Sequence, residues 1–230
     1  MPDKWVGLPV CAESMQGILA LRKTKTRRVV SPAPPAGTVR FQECGIYYRF
    51  GWVAVQPDGS FVAAKPGIGY ATGWLPPYGR PSQLVYFREP LYKIGDRAHF
   101  AADNASAGVA WLWKNSGLPG RFMPRRLARA CATISEVRFE RLVDISREDA
   151  LAEGMKCVFD EDACCSIYDT DETQAYGTAA EAYRAWWDLL NYDRGFGWQA
   201  ALDGKWHGWV SVTSWTDVVI GWEQVQEMLG

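Results

Sequence analysis

The residues of this chain with the greatest potential for chemistry lie in one short segment near the N-terminus, residues 21–28, with the sequence LRKTKTRR. Lys23 precedes Thr26 by three positions. A lysine with a lowered pKa can take the proton of a threonine hydroxyl and make it a nucleophile. Arg27 and Arg28 suit phosphate or carboxylate groups, because a guanidinium binds two oxygens at once. The segment therefore predicts either a hydrolytic centre or a basic patch that contacts phosphate.

The elements around this segment decide which chemistry is available to it. Apolar residues at helical spacing predict a short amphipathic helix over residues 13–21, which delivers residues 23–28 to the surface. If the helix reaches Thr26, then Lys23 and Thr26 share one helical face. If residues 23–26 are extended, the two side chains point to opposite sides and the proton transfer loses its geometry.

The rest of the chain mixes strand and helix signals. The predicted strands cover residues 40–50, 52–55, 61–64, 130–142 and 209–215, with a hairpin turn at 57–60 and a turn entering a strand at 94–100. Two capping boxes, at residues 146–149 and 178–181, predict helices over 147–153 and from 179 onward. Apolar spacing after residue 217 predicts a terminal helix. Residues 67–81 and the acidic 157–177 are expected to be loops, and 108–119 a loop or short helix.

The composition indicates a globular protein with a substantial core, since 48% of its residues are hydrophobic and 12 are Trp. The net charge of −1 conceals basic stretches at 22–28 and 121–129 and an acidic one at 160–172, which suggests a positive face for an anionic partner. No apolar run approaches the roughly 20 residues that cross a bilayer, and the N-terminus lacks a secretory pattern. We therefore expect a cytoplasmic protein with no membrane partner.

The cysteines and histidines offer little for metal binding. The six Cys show no CxxC spacing, and His99 and His207 are the only histidines. A structural zinc site needs four such ligands brought together. We therefore expect neither a metal site nor a cofactor.

Five blocks of the sequence resemble the ASCH family, a relative of the PUA fold, and in particular the ASCH-type proteins of phage and prophage genomes. The blocks are residues 22–28 (RKTKTRR), 95–97 (GDR), 123–125 (MPR), 138–145 continuing into 149–155 (DALAEGM), and 183–187 (YRAWW). They occur in the family's order and are spread between residues 22 and 187.

The resemblance implies an α+β fold, a PUA-like and mostly antiparallel β-barrel with peripheral helices and inserted loops. Residues 1–230 would form a single domain, with insertions at 36–94 and 157–177 and an additional C-terminal segment at 216–230. The resemblance also implies a phage- or prophage-encoded protein that acts in the cytoplasm of a bacterial host.

Family members are proposed to bind RNA or nucleosides, and one small bacterial branch removes the acyl group from N4-acetylcytidine. That branch uses a Lys, a Thr three residues later and a Glu before a Gly–Met or Asn–Met pair, and the matching positions here are Lys23, Thr26 and Glu153. The resemblance thus implies an amidohydrolase with these three as its catalytic residues. The basic residues expected to bind the nucleic acid or modified nucleoside are Arg22, Lys25, Arg27, Arg28, Arg97, Arg125 and Arg126.

Two other functions remain open from the sequence. The protein could bind RNA or DNA without catalysis, in which case the basic segment holds phosphates and unpaired bases stack on Tyr47, Tyr48, Tyr70 or Tyr78. It could also be a phage accessory protein whose inserted loops bind another protein. The relative positions of the three candidate catalytic residues bear on this choice.

Overall fold

The computed structural model describes residues 5–44, 51–64, 73–75, 77–160, 165–169 and 175–229, and at 157–160, 165–169 and 175 it describes the backbone alone. The candidate stacking residues Tyr47, Tyr48 and Tyr70 lie outside these ranges. Across the described residues the chain forms fifteen strands and five α-helices.

The strands are β1 (Val6–Pro9), β2 (Lys25–Val29), β3 (Arg40–Cys44), β4 (Gly51–Val55), β5 (Phe61–Val62), β6 (Leu84–Arg88), β7 (Leu91–Ile94), β8 (Arg97–Phe100), β9 (Ser106–Ala110), β10 (Gly117–Leu118), β11 (Ala130–Arg141), β12 (Lys156–Asp160), β13 (Cys165–Asp169), β14 (Ala175–Tyr176) and β15 (Trp209–Ile220). The helices are α1 (Ala12–Leu19), α2 (Arg147–Ala152), α3 (Ala179–Asn191), α4 (Trp198–Leu202) and α5 (Trp222–Leu229). None of these helices is long and apolar enough to cross a membrane.

One five-stranded sheet, in the order β1-β6-β11-β15-β2, carries most of the candidate site. Its centre is the antiparallel pair of β11 and β15, each twelve residues long. Strand β2 pairs with β15 at the sheet edge, and this pairing places Thr26 opposite Thr213 and Arg27 opposite Val212. Three smaller sheets have the orders β10-β7-β8-β9, β3-β4-β5 and β12-β13-β14.

The two faces of the central sheet pack against different helices. On one face, Val210 and Val212 of β15 join a buried cluster with Tyr183 of α3. On the other face, Trp215 joins a buried cluster with Met15 of α1. Because side chains alternate along a strand, neighbouring residues of β2 lie in different environments.

Several predictions made from local sequence signals are confirmed. The fold is α+β, with more sheet than helix. Both capped helices form: the Asp149 N–H donates to Ser146 Oγ at 3.1 Å, and the Glu181 N–H donates to Thr178 Oγ1 at 3.1 Å. Strands β4 and β5 form the predicted hairpin. These signals act within a few residues, so they do not depend on the rest of the fold.

Other predictions are wrong, and in each case a partner strand overrides the local pattern. Helix α1 ends at Leu19 without reaching Thr26, and strand β2 begins at Lys25, opposite β15. Within residues 108–119, predicted as a loop or short helix, 108–110 belong to β9 and 117–118 form β10. Strand β15 continues to Ile220, opposite Ala130, so the terminal helix begins at Trp222 rather than near Asp217. Part of the acidic loop predicted at 157–177 forms β12, β13 and β14.

Candidate functional site

Lys23 is positioned by a sharp turn after α1. Leu21 adopts a positive φ of 56°, and the N–H groups of Arg22 and Lys23 both donate to the Gly17 carbonyl, at 2.9 and 3.0 Å. A Cβ on Gly17 would lie 3.1 Å from Lys23 Cβ, so glycine is needed for this close approach. The chain therefore folds Lys23 back under α1 instead of extending it into solvent.

Glu153 reaches the same place from the end of α2. The Thr24 N–H donates to the Ala152 carbonyl at 2.8 Å, which joins the segment after α1 to the end of α2. Gly154, with φ of 103°, turns the chain immediately after Glu153. A carboxylate at a helix C-terminus is disfavoured by the helix dipole, so Glu153 requires nearby cations.

Lys23 and Glu153 form a buried pair. Lys23 Nζ donates to Glu153 Oε2 at 2.6 Å and to the Glu153 carbonyl at 2.7 Å, and each side chain is 1% exposed. The Trp186 ring lies 5.4 Å from the amine. Burial lowers the pKa of Lys23, the charge of Glu153 partly opposes this, and the positive charge of Arg28 lowers the pKa further. The Lys23 amine is therefore easier to deprotonate than an exposed lysine.

Arg27 connects this pair to two further carboxylates. Its Nη1 donates to Glu153 Oε1 at 3.1 Å, its Nε to Glu140 Oε1 at 2.8 Å, and its Nη2 to Asp149 Oδ2 at 2.6 Å. The Arg27 side chain is 0% exposed. Its guanidinium also lies 5.7 Å from the centre of the Tyr183 ring. Arg27 thus uses the geometry of its planar fork to join β2, β11 and α2.

The complete network balances its charges. Its cations are Lys23, Lys25, Arg27 and Arg138, and its carboxylates are Glu136, Glu140, Asp149 and Glu153. Asp149 pairs with Lys25, Arg27 and Arg138. The prediction that residues 23–28 are delivered to the surface is therefore wrong for Lys23 and Arg27, which the folded chain buries and pairs with carboxylates. A phosphate would have to displace these carboxylates in order to bind the two cations.

Asp149 gives this network a measurable pH dependence. Burial alone would raise the pKa of Asp149, but the hydrogen bond from Lys25 and the charges of Arg27 and Arg138 outweigh it and hold the pKa below its ordinary 3.8. The folded state therefore binds fewer protons than the unfolded state near that pH, so stability falls as the pH drops through 3.8 and below. We expect urea denaturation to show that the free energy of unfolding falls more steeply with decreasing pH in wild type than in Asp149→Asn. Equal slopes for the two proteins would contradict the assigned ion pairs.

Thr26 does not join Lys23 and Glu153. It lies inside β2 opposite Thr213, and strand alternation directs its side chain to the face opposite that of Arg27. Among the described residues, no hydrogen bond links the Thr26 hydroxyl to Lys23 or Glu153. The extended alternative for residues 24–26 is therefore the observed one, and the shared helical face does not form.

The Thr26 face of the sheet holds polar groups that lack partners. Arg28 Nη2 donates to the Pro9 carbonyl at 2.8 Å, and its guanidinium lies 5.7 Å from the centre of the Tyr78 ring, but its buried Nε has no partner. Trp215 Nε1 is also buried without a partner. Buried polar groups are normally hydrogen-bonded, so these two donors are exceptions among the described residues.

A third unpaired group lies beside the ion network. The Tyr183 hydroxyl is fully buried and has no hydrogen-bond partner. Burial raises its pKa well above the ordinary value, and the negative charge of Glu153 contributes in the same direction. Tyr183 therefore stays protonated and offers a donor close to the charge of Glu153.

The remaining predicted binding residues lie elsewhere on the chain. Arg22 is exposed and its Nη1 donates to the Gly154 carbonyl at 3.0 Å, next to the network. Arg97 is exposed on β8, in another sheet. Arg125 donates to the Leu229 carbonyl, and Arg126 lines a separate cavity. Arg97, Arg125 and Arg126 thus make no ion pair with the carboxylates around Lys23.

Sequence reasoning missed four members of the network, Glu136, Arg138, Glu140 and Asp149. Glu136, Arg138 and Glu140 lie on the more exposed side of β11, and Glu140, 20% exposed, pairs with Arg27. Lys25 and Arg27 on β2 and Glu136 and Glu140 on β11 carry opposite charges, but β15 lies between the two strands, so no pattern within either strand indicates the pairing.

The side chains around the pair do not form a metal-binding group within the described residues. No group of three or more His, Cys, Asp or Glu side chains in the described part of the chain is arranged to hold a metal ion. Cavities of about 720, 660 and 400 Å³ are lined by residues other than Lys23, Thr26 and Glu153. The pair itself is 1% exposed, with the Trp186 ring 5.4 Å from the Lys23 amine.

Comparison of the chain with protein-family models, with curated proteins and with solved structures finds no match.

Proposed function

We propose that the chain is an ASCH-type, PUA-like protein that binds a modified nucleoside, free or within a nucleic acid, and hydrolyses the amide of an N4-acylated cytosine. The observation that carries this proposal is the pairing of Lys23 with Glu153. These residues match two of the three catalytic positions of the family's amidohydrolase branch, they are 130 positions apart, and they meet at 2.6 Å in a buried site.

The pair supplies two of the functions that amide hydrolysis needs. A base must take a proton from the nucleophile as its oxygen attacks the acyl carbon, and an acid must give a proton to the departing N4 amine. Lys23, with its lowered pKa, suits the role of the base. Glu153 can then pass the proton to the departing N4 amine. The C–N bond breaks, one water is consumed, and cytidine and a carboxylate are released. The Tyr183 hydroxyl is a donor suited to the negative charge that develops on the acyl oxygen.

Because the extended segment turns Thr26 away from Lys23, the proposal assigns the attack to a water molecule, and substitutions of two threonines test that assignment. Thr26 faces away from Arg27, whereas Thr24 contributes its backbone to the contacts with Ala152 and Trp215. Thr26→Val should abolish cytidine release if the Thr26 hydroxyl attacks and should preserve it if water attacks. Thr24→Val is the matched control, because it removes a hydroxyl two residues away and keeps those backbone contacts.

The Thr26 face of the sheet supports recognition of the base. The unpaired donor Arg28 Nε can bond a cytosine carbonyl or a phosphate oxygen, and Tyr78 offers an aromatic surface for stacking. The charge-balanced network leaves Lys23, Lys25 and Arg27 occupied by carboxylates. The proposal therefore assigns phosphate and base contacts to Arg22 and Arg28 rather than to the whole basic segment.

Chromatography of N4-acetylcytidine incubated with the wild-type protein tests the proposal directly. We expect cytidine to appear with turnover, in free nucleoside or after digestion of an N4-acetylated oligonucleotide. Absence of cytidine from both substrates would contradict hydrolysis.

The position of Thr26 favours one alternative, binding of nucleic acid without catalysis. In that case oligonucleotide affinity should fall with rising salt, because phosphate contacts release counterions. It should also fall in Arg28→Ala, with no cytidine released. Oligonucleotide binding that ignores both salt and Arg28→Ala would remove this alternative.

A further inference from the structure

A second candidate site lies in a cavity of about 660 Å³ formed by β8, β9, the 3₁₀ helix Arg125–Leu127 and the start of α5. None of the residues in the ion network of Lys23 and Glu153 lines it. Its walls are mainly apolar and include Leu19, Phe100, Val109, Leu127, Ile220 and Trp222. Ligand pockets commonly have volumes of about 300–1,000 Å³ and apolar walls with a few polar groups, and this cavity fits that pattern.

Trp222 forms an exposed aromatic wall of the cavity. It is the first residue of α5 and is 53% exposed. Its Nε1 donates to the Arg126 carbonyl at 3.2 Å, which fixes the indole against the Arg125–Leu127 helix. Gly221, with φ of 116°, makes the turn that brings Trp222 to this position. A large aromatic ring held at a cavity rim is a surface for an apolar ligand.

The two arginines of the cavity differ in their partners. Arg129 is fully paired, since its Nε and Nη2 donate to the Glu89 carboxylate at 2.8 and 3.0 Å and its Nη1 donates at 2.7 Å to Asp103, which also lines the cavity. Its guanidinium also stacks 4.0 Å from the centre of the Phe100 ring. Arg126 lines the same cavity and forms no ion pair with any carboxylate in the described ranges. The cavity therefore combines apolar walls with one cation free to bind an anion.

We propose that this cavity binds an amphipathic monoanion, with an apolar chain or ring against Phe100, Val109 and Trp222 and a carboxylate paired with Arg126. The apolar walls supply affinity that does not depend on the head group. Arg126 supplies the selectivity, because guanidinium binds a carboxylate in bidentate fashion and repels an ammonium group. This site is independent of the amide hydrolysis proposed above.

Isothermal titration calorimetry with three probes that share one chain, decanoate, decanol and decylammonium, tests the head-group preference. Each probe is used below its aggregation limit with the intact chain. We expect decanoate to bind at one site about tenfold more tightly than the other two, as one charge-assisted hydrogen-bonded pair allows. Arg126→Met should bring decanoate down to the affinity of decanol, whereas Arg121→Met, another arginine outside the cavity, should leave it unchanged.

Trp222→Ala provides the second variant, because Trp222 is largely exposed and its removal should leave the fold intact. We expect Trp222→Ala to weaken the binding of decanoate and of decanol to the same extent. The proposal is overturned if the three probes bind equally, if Arg126→Met leaves the preference intact, or if Arg121→Met removes it as well. It is also overturned if decanoate fails to bind at its solubility limit.

Discussion

Replacing Arg27 with methionine is expected to lower the free energy of unfolding by about 3–5 kcal/mol, the loss typical of removing one partner from a buried ion pair. Methionine retains much of the apolar stem of arginine, so the variant measures the effect of losing the guanidinium group alone. The variant leaves Glu140, Asp149 and Glu153 without their shared cation. Of these, Glu153 is 1% exposed and cannot recover the lost contact from solvent.

Urea denaturation of Arg27→Met beside Arg97→Met measures this effect. Arg97 lies exposed on β8, so its replacement should change the free energy of unfolding by less than about 0.5 kcal/mol. The loss in free energy of unfolding for Arg27→Lys should lie between those of the two methionine variants, because an ammonium group lacks the planar fork that reaches three carboxylates. A loss below about 1 kcal/mol for Arg27→Met would show that the buried network contributes no more than a surface pair.

Replacing Glu153 with glutamine is expected to slow cytidine release from N4-acetylcytidine by about 10²–10⁴-fold, the usual contribution of a positioned acid or base. Glutamine keeps the size of the side chain and can still accept a hydrogen bond from Lys23. It cannot carry a proton to the leaving amine. The loss should therefore appear in kcat more than in KM.

Glu136→Gln is the matched control for this experiment. Glu136 belongs to the same network through Arg138 but is 52% exposed. Its replacement removes one carboxylate charge without touching the Lys23–Glu153 pair, so we expect kcat within about threefold of wild type, the size of a surface effect. Equal losses in Glu136→Gln and Glu153→Gln would attribute the effect to net charge and would count against a proton-transfer role.

The helices near the site could be predicted because their signals are local. Ser146 and Thr178 each cap a helix through a residue three positions later, and the two caps need no distant partner. Strand β9 carried no such signal, because SAGVA has little β propensity and its pairing comes from β8. The same holds for the end of β15, where Ile220 remains extended because it pairs with Ala130.

The site could be predicted only in part, because its contacts are distant in the sequence. The family resemblance selected Lys23 and Glu153, and the structure places them in contact. It did not predict that β2 would begin at Lys25, which turns Thr26 to the other face. The carboxylate partners of Arg27 lie on β11 and α2, and no pattern within β2 indicates that those elements pack against it.

The measurement that tests the central claim most directly is cytidine release from N4-acetylcytidine by Lys23→Met and Lys25→Met, each confirmed to be folded by circular dichroism. Both lysines lie in the same segment and pair with carboxylates, but Lys25 is 24% exposed and pairs with Asp149 rather than Glu153. We predict that wild type and Lys25→Met release cytidine and that Lys23→Met does not. Release by Lys23→Met at the wild-type rate, or no release by wild type, would contradict the assignment of the buried Lys23–Glu153 pair as a catalytic centre.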